Sequence, residues 1–287
     1  MAEAPAFDPE KFKAAARAQW DKNAKGWNDS APQIRGWLAV ATEAMLDMAD
    51  VKPGAHVLDV AAGAGDQTLD IAKRVGPRGS VLATDLSAGI LEFAKENARR
   101  AGFANVETKV ADGENLGVEE ASFDAAVCRL GLMLYPDPLK GLREIYRALK
   151  PGARLATLVF SGPERNPCIV ILVSTAFKHA GLPPRDPYQP GGLLSLGKPG
   201  LIDELFQKAG FTDVKTRKVT ALFKLPSVKD YLSFTRTSAG PILEILGKLD
   251  DAAKDAAWAE IEEKLTAFNT ASGWEGPNEL LLTTGRK

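Results

Sequence analysis

The chain has 287 residues, with 36 Lys and Arg against 37 Asp and Glu, so its formal net charge is −1. Its 45% hydrophobic and 25% charged residues exclude wholesale disorder, and its near-neutrality argues against a protein drawn to phosphate backbones by excess charge. Cys128 and Cys168 stand outside any CxxC spacing and cannot build a disulfide framework, while two histidines, His56 and His179, argue against a His-rich metal site.

From Met1 to Trp20, Ala alternates with Glu, Asp, Lys and Arg, with no continuous apolar run. That segment reads as neither a signal peptide nor a spanning helix, and a cytoplasmic protein is the default. After the Pro53–Gly54 turn, residues Val57 to Ala61 have the pattern of a buried strand. A helix is expected from Asp66 to Val75 and a second strand from Ser80 to Thr84. Ser87 suits an N-cap and Gly102 a C′ position for a helix with Ile90, Leu91, Ala94 and Ala98 inward. Val106 to Val110 and Phe123 to Leu130 read as the third and fourth strands. Leu139, Leu142, Ile145 and Leu149 recur at helical spacing, and that helix should stop at Lys150, before Pro151. A fifth strand from Leu155 to Phe160, a helix from Leu201 to Ala209 ended by Gly210, and strands at Phe211 to Val219 and Glu279 to Thr284 complete the series.

Strands that alternate with helices of this length imply βαβ units and a doubly wound, seven-stranded, mostly parallel α/β sheet. Two stretches break the alternation. One, residues 161–198, is rich in Pro and Gly. The other, residues 225–276, begins with the capping-box-like pair Ser227 and Asp230 and carries Trp258, Ile261, Leu265 and Phe268 on one helical stripe. Both are expected to be cap insertions over the sheet's carboxyl edge, where open α/β sheets bind ligands.

The chemistry gathers at the first strand. Gly63 and Gly65 lie in the turn between that strand and the next helix, where a missing Cβ lets backbone approach a ligand. Asp85 closes the second strand twenty residues past Gly65, where an acid can accept both ribose hydroxyls of a nucleoside. A dinucleotide turn would place a third glycine at position 68, which is Thr68 here. The adjacent Asp66 would repel a pyrophosphate while tolerating a cationic ligand. The turn therefore favours a nucleoside without phosphates.

On these residues the chain resembles the class I S-adenosylmethionine-dependent methyltransferases, and more narrowly the ubiquinone/menaquinone-biosynthesis type of small-molecule methyltransferase. The resemblance runs from Trp20 to about Gly162. It implies a Rossmann-like methyltransferase fold, with a helical lid over residues 1–50 and an S-adenosylmethionine-binding α/β domain over 51–287. It also implies that Asp59 to Gly65, Ala61 and Gly63 included, cradle the methionine part of the cofactor. Asp85, with Leu86, would hold the ribose. Asp112, next to Gly113, would accept from the adenine amino group, and Cys128 to Leu132 would border the methyl group. The segment Leu142 to Gly152 matches a helix and turn highly typical of these enzymes. Trp20 and Trp27 fall in the family's N-terminal segment, where the place of Trp27 is usually Tyr.

Each candidate also has a plainer reading. Asp59 can cap backbone amides of its turn, beside orienting the cofactor's amino group. Asp85 can be a helix N-terminal charge, and Asp112 a turn residue. Trp20 and Trp27 can be core packing rather than cofactor cover. Arg129, at a strand end, is either a solvated charge or a partner for a cofactor carboxylate or substrate anion. Cys128 reads as a small core hydrophobe. Tyr135 is a substrate-side candidate or a turn aromatic, and His179 a base or a helix C-terminal charge.

The expected activity is methyl transfer from S-adenosylmethionine to a small acceptor. Phe177, Leu193, Leu194, Leu196, Phe223, Tyr231, Phe234 and Ile242 in the caps suggest that it is apolar or aromatic. No metal, nucleic-acid or membrane partner is expected, and the oligomeric state is left open, a homodimer included. The alternatives are a nicotinamide-dependent oxidoreductase and a noncatalytic S-adenosylmethionine-binding protein. A nucleic-acid methyltransferase lacks support, because Leu134 to Pro138 does not reproduce a base-methylating signature.

Overall fold

The computed structural model describes residues 8–238 and 240–287. The Asp8 carboxylate accepts from the Glu10 and Lys11 amides, and Pro9 needs no N–H partner at the first helical position, so α1 (Pro9–Asp29) starts there. It is followed at once by α2 (Ala31–Met48), whose Ile34, Leu38, Ala41, Met45 and Leu46 repeat at helical spacing and are buried.

The alternation then proceeds through β1 (His56–Val60), α3 (Asp66–Val75), β2 (Ser80–Asp85), α4 (Ala88–Arg100), β3 (Val106–Val110), β4 (Phe123–Arg129), α5 (Pro138–Ala148) and β5 (Leu149–Phe160). The Ser87 hydroxyl accepts from the Ile90 amide at the start of α4, and Gly102 follows that helix at φ 79°, as the cap residues predict. α6 (Pro167–His179), α7 (Leu201–Lys208), β6 (Thr212–Thr220), β7 (Phe223–Leu225), α8 (Val228–Ser238), α9 (Gly240–Leu246), α10 (Asp251–Leu265), β8 (Asn269–Thr270), β9 (Gly273–Gly276) and β10 (Glu279–Arg286) complete the chain.

Seven strands form the main sheet in the order β3-β2-β1-β4-β5-β10-β6. β1 to β5 pair in parallel and β10 runs antiparallel between β5 and β6, which is the expected doubly wound α/β sheet. Val57 to Val60 are all buried because β1 lies mid-sheet with helices on both faces. The strand order reverses between β1 and β4, and a crevice opens beyond the carboxyl ends of strands at such a point.

Most observed bounds fall within two residues of the expected ones, and the largest departure is at the join of α5 and β5, where β5 starts at Leu149 rather than Leu155. The helix carrying Leu142 and Ile145 ends at Ala148, not Lys150, and Leu149 opens β5 opposite Phe123. Pro151 disfavours helical backbone at Lys150, and an extended Leu149 gains a ladder partner. Residues 225–276 also contain more than helices: their β8 and β9 form, with β7 at the start of the stretch, a separate three-stranded antiparallel sheet.

The two irregular stretches share one core. Cys168, Leu172 and Ala176 of α6 pack with Tyr231, Leu232, Ile242, Trp258, Ile261, Leu265 and Trp274 from the second stretch. This unit meets the sheet through Trp37 of α2, whose ring stacks between Phe160 at the end of β5 (6.0 Å) and Phe223 (4.9 Å). Among the described residues no helix is long and apolar enough to cross a membrane.

Candidate functional site

The turn after β1 is held in shape by its own carboxylates. Ala61, Gly63 and Gly65 all lie in the left-handed region, at φ 56°, 58° and 87°. For Ala61 that conformation costs about 1–2 kcal/mol, a strain of the kind that collects where backbone is shaped for a ligand. Gly131, past the end of β4, makes room for it, since a Cβ there would come within 2.3 Å of the Ala61 Cβ.

Asp59 is fully buried and accepts from the Thr68 hydroxyl at 2.6 Å and the Gln67 side-chain amide at 3.1 Å. The expectation that it caps backbone amides is therefore corrected: its carboxylate is held by the two side chains that open α3. Burial pushes its carboxyl up to about 6, against the opposing effect of those two bonds and of Arg129.

Asp85 ties β1 to α4. One carboxylate oxygen accepts from the Gly63 amide at 3.0 Å and the other from the Ser87 amide at 3.0 Å, with the Leu86 amide contributing as well. Burial and the nearby Asp21 raise its pKa, and the three amides oppose that rise. Beyond β3, Asp112 accepts from the Glu114 amide at 2.9 Å and from the Lys13 ammonium at 2.7 Å. Gly113 lies under Tyr135, whose hydroxyl would be 1.9 Å from a Cβ at that position. Burial drives the Tyr135 phenol well above its ordinary value, so it stays protonated at neutral pH. Cys128 is buried too, its thiol pushed up to about 12.

Arg129 is not a solvated charge. It is buried, donating to the Thr42 hydroxyl at 2.8 Å and pairing with Asp66 at 2.8 Å. Arg35 pairs with the other Asp66 oxygen at 2.8 Å and with Asp70 at 3.0 Å. This corrects the expectation placed on Asp66, because two guanidinium groups answer the charge expected to repel a pyrophosphate. What still disfavours a dinucleotide turn is Thr68, buried in the third glycine's place with its hydroxyl on Asp59.

The N-terminal helix lies over this turn. Trp27 seats its indole so that a Cβ on Gly63 would be 3.2 Å from the ring nitrogen. Trp20 meets Trp27 edge to face at 5.5 Å, and Trp27 contacts Phe234 of α8 at 6.4 Å. Asp21 accepts from the Gly89 amide at 3.0 Å and from the Ser87 hydroxyl, capping α4 from outside. The structure thus gathers Trp20, Trp27, Asp59, Ala61, Gly63, Gly65, Asp85 and Leu86 on and around one turn. Asp112, Gly113 and Tyr135 form a neighbouring group, and Arg129 braces the back of the turn.

His179 stands apart. It bonds Glu260 of α10 at 2.7 Å, a carboxylate that Lys178 and Lys264 also hold, at the edge of a shallow surface depression lined by α10 and the turn after it. Sequence reasoning alone misses Lys13, Asp21, Thr42 and Glu114. Their partners lie far off in the chain, and no spacing announces them. Among the described residues no cluster of His, Cys, Asp and Glu could hold a metal ion.

Comparison with known proteins adds a family and a fold. The sequence model of the ubiE/COQ5 methyltransferase family matches residues 33–179. The ubiquinone/menaquinone biosynthesis C-methyltransferase UbiE of Pasteurella multocida is 37% identical over 123 residues, covering 42% of this chain and 46% of that protein. The chain thus matches about half the length of such relatives. Among solved structures, the YcgJ protein from Bacillus subtilis aligns with a TM-score of 0.59 at 19% identity, over 87% of this chain and 98% of that one. The [4+2]-cyclase SpnF aligns with a TM-score of 0.54 at 20% identity, over 85% and 79%. These two likenesses speak for the fold alone, which carries more than one chemistry.

Proposed function

Because this chain belongs to the ubiE/COQ5 methyltransferase family, we propose that it transfers a methyl group from S-adenosylmethionine to a small apolar or aromatic acceptor in the cytoplasm. The observation that carries this reading is the join between Gly63 and Asp85. The turn presents a surface without a Cβ at Gly63, and the Gly63 amide itself orients the carboxylate at the end of β2. Such a cradle fits a nucleoside with an amino-acid tail. Ala61, Gly63 and Gly65 would take the methionine part, Asp85 with Leu86 the ribose hydroxyls, and Asp112 beside Gly113 the adenine amino group. Trp20 and Trp27 would cover it.

When bound, S-adenosylmethionine supplies a methyl group made electrophilic by its sulfonium. The protein's part is to hold the acceptor in line and keep water out. Tyr135 and Cys128 remain protonated at neutral pH, and His179 faces Glu260. Proton abstraction by these groups is therefore not what the site offers. An acceptor that needs only modest help to give up its proton, such as a phenol or an activated carbon acid, suits it. The rings of Trp37, Phe160, Phe223 and Phe234 around the junction of cap and sheet favour an apolar body for that acceptor.

Calorimetric titration with S-adenosylhomocysteine and with NAD tests the cofactor, and only the former should bind. A panel of phenols, quinols and small charged amines, scored by S-adenosylhomocysteine formation, tests the acceptor. Turnover restricted to the charged amines refutes the apolar assignment.

A further inference from the structure

Two contacts of α1 fall on groups assigned to the cofactor, Gly63 and Asp112, and a third falls beside Asp85. Lys13, Trp20, Ala24 and Trp27 recur at helical spacing on one face of that helix. Lys13 and Ala24 are buried, and both Trp rings are partly buried against the site. Trp27 rests on Gly63. Asp21 grips the start of α4 next to Asp85. Lys13 places its ammonium 2.7 Å from Asp112 and 2.7 Å from Glu114, with only 7% of the residue exposed.

We propose that α1 is a gate latched by Lys13, whose ammonium occupies the Asp112 carboxylate that an adenine amino group must reach. The latch rests on the cofactor reading given under the proposed function. It deepens that reading by making the lid a competitor of the ligand rather than only its cover.

The exchange swaps one N–H donor for another, since an ammonium and an exocyclic amine can each bond Asp112 through the same oxygen, while the positive charge leaves with Lys13. Lys13 does not leave for nothing: Glu10, exposed and 3.7 Å from the ammonium, offers an outer partner. Glu114 keeps the Asp137 amide at 2.8 Å after Lys13 departs. Burial alone would weaken the lysine's charge, but its bonds to Asp112 and Glu114 outweigh that and hold it protonated above the ordinary lysine range. The latch therefore holds across the working pH range and yields to a ligand rather than to a proton.

Beyond the Lys13 pair, α1 is held by Trp27 against Gly63 and Phe234, by Asp21 on the Gly89 amide and the Ser87 hydroxyl, and by Asn28 accepting from Asn97, contacts that opening must exchange for water. Loss of the Lys13 pair would leave Asp112 and Glu114 facing an uncharged side chain, which opposes docking.

The test is calorimetric titration of S-adenosylhomocysteine into wild type, Lys13→Met and Lys13→Arg, with the free proteins' tryptophan emission recorded alongside. A ligand that binds only the open form has its affinity reduced by the open fraction, so unlatching should tighten binding by about fivefold or more. Lys13→Met should do so and shift emission to the red as Trp20 and Trp27 meet water. Lys13→Arg keeps a charged donor and should match wild type in both. If wild type binds but Lys13→Met binds equally or more weakly, the gate is refuted and the cofactor reading stands. If neither binds, the cofactor reading falls and the gate with it.

Discussion

Asp59 makes stability depend on pH in a direction that can be worked out. It has no solvent exposure, and its carboxyl titrates at about 6 in the fold against 3.8 in the unfolded chain. Between those two values the folded state binds the proton more tightly. Stability therefore falls as pH rises from 3.8 to about 6. At 1.36 kcal/mol per pH unit the full loss is about 3 kcal/mol, of which about 1.4 kcal/mol should appear between about pH 5 and 7.5. Asp59→Asn keeps the shape and an acceptor for Thr68 but cannot titrate. Urea unfolding of both proteins at several pH values isolates the group together with its coupling to Asp85, since the remaining titrations are common to both. The stability of wild type relative to the variant should decline by about 1.4 kcal/mol across that window. A difference that stays flat, or that rises with pH, would mean that burial does not dominate at this carboxylate.

Asp85→Ala should weaken S-adenosylhomocysteine binding by about 1–3 kcal/mol, the cost of stranding polar partners, and unchanged affinity on titration would remove Asp85 from the site. Arg129→Met should destabilise the fold by about 3 kcal/mol, at the low end for breaking a buried ion pair, because Arg35 still holds Asp66; chemical denaturation measures it, and a loss below about 1 kcal/mol would show that the pair is no better than a surface one. His179→Gln should leave methyl transfer within about twofold of wild type, while a fall of about 100-fold or more would identify His179 as a base that turns from Glu260 during turnover.

The parts of this molecule that are legible in its sequence are those whose demands are local. β1, β2 and β4 announce themselves as short, largely apolar runs, and Ser87 and Gly102 sit where the backbone of α4 needs a hydroxyl and a left-handed residue. The order of strands and helices then leaves few topologies, so the edge of the sheet that carries Gly63 and Asp85 can be foreseen. Leu149 misleads because apolar spacing cannot weigh a helical turn against a ladder position opposite Phe123. The small sheet cannot be seen at all. Its strands are two to four residues long, and Phe223 pairs with Gly276 across the whole helical cap.

Charge is the least legible property, for a physical reason. The potential at a point is a sum over partners brought together by the fold, whereas a sequence shows one charge at a time. Asp66 illustrates this. Its sign and its place beside the turn are plain in the sequence, yet Arg35 from α2 and Arg129 from β4 converge on its two oxygens and cancel the repulsion it would otherwise exert on an anion. Lys13 is the converse case. Nothing in the sequence singles it out, and it becomes a buried cation only because the fold brings Asp112 and Glu114 to it. A ligand pocket built from such long-range pairs can be located from its glycines, but whether it stands open or latched depends on groups that the motif does not contain.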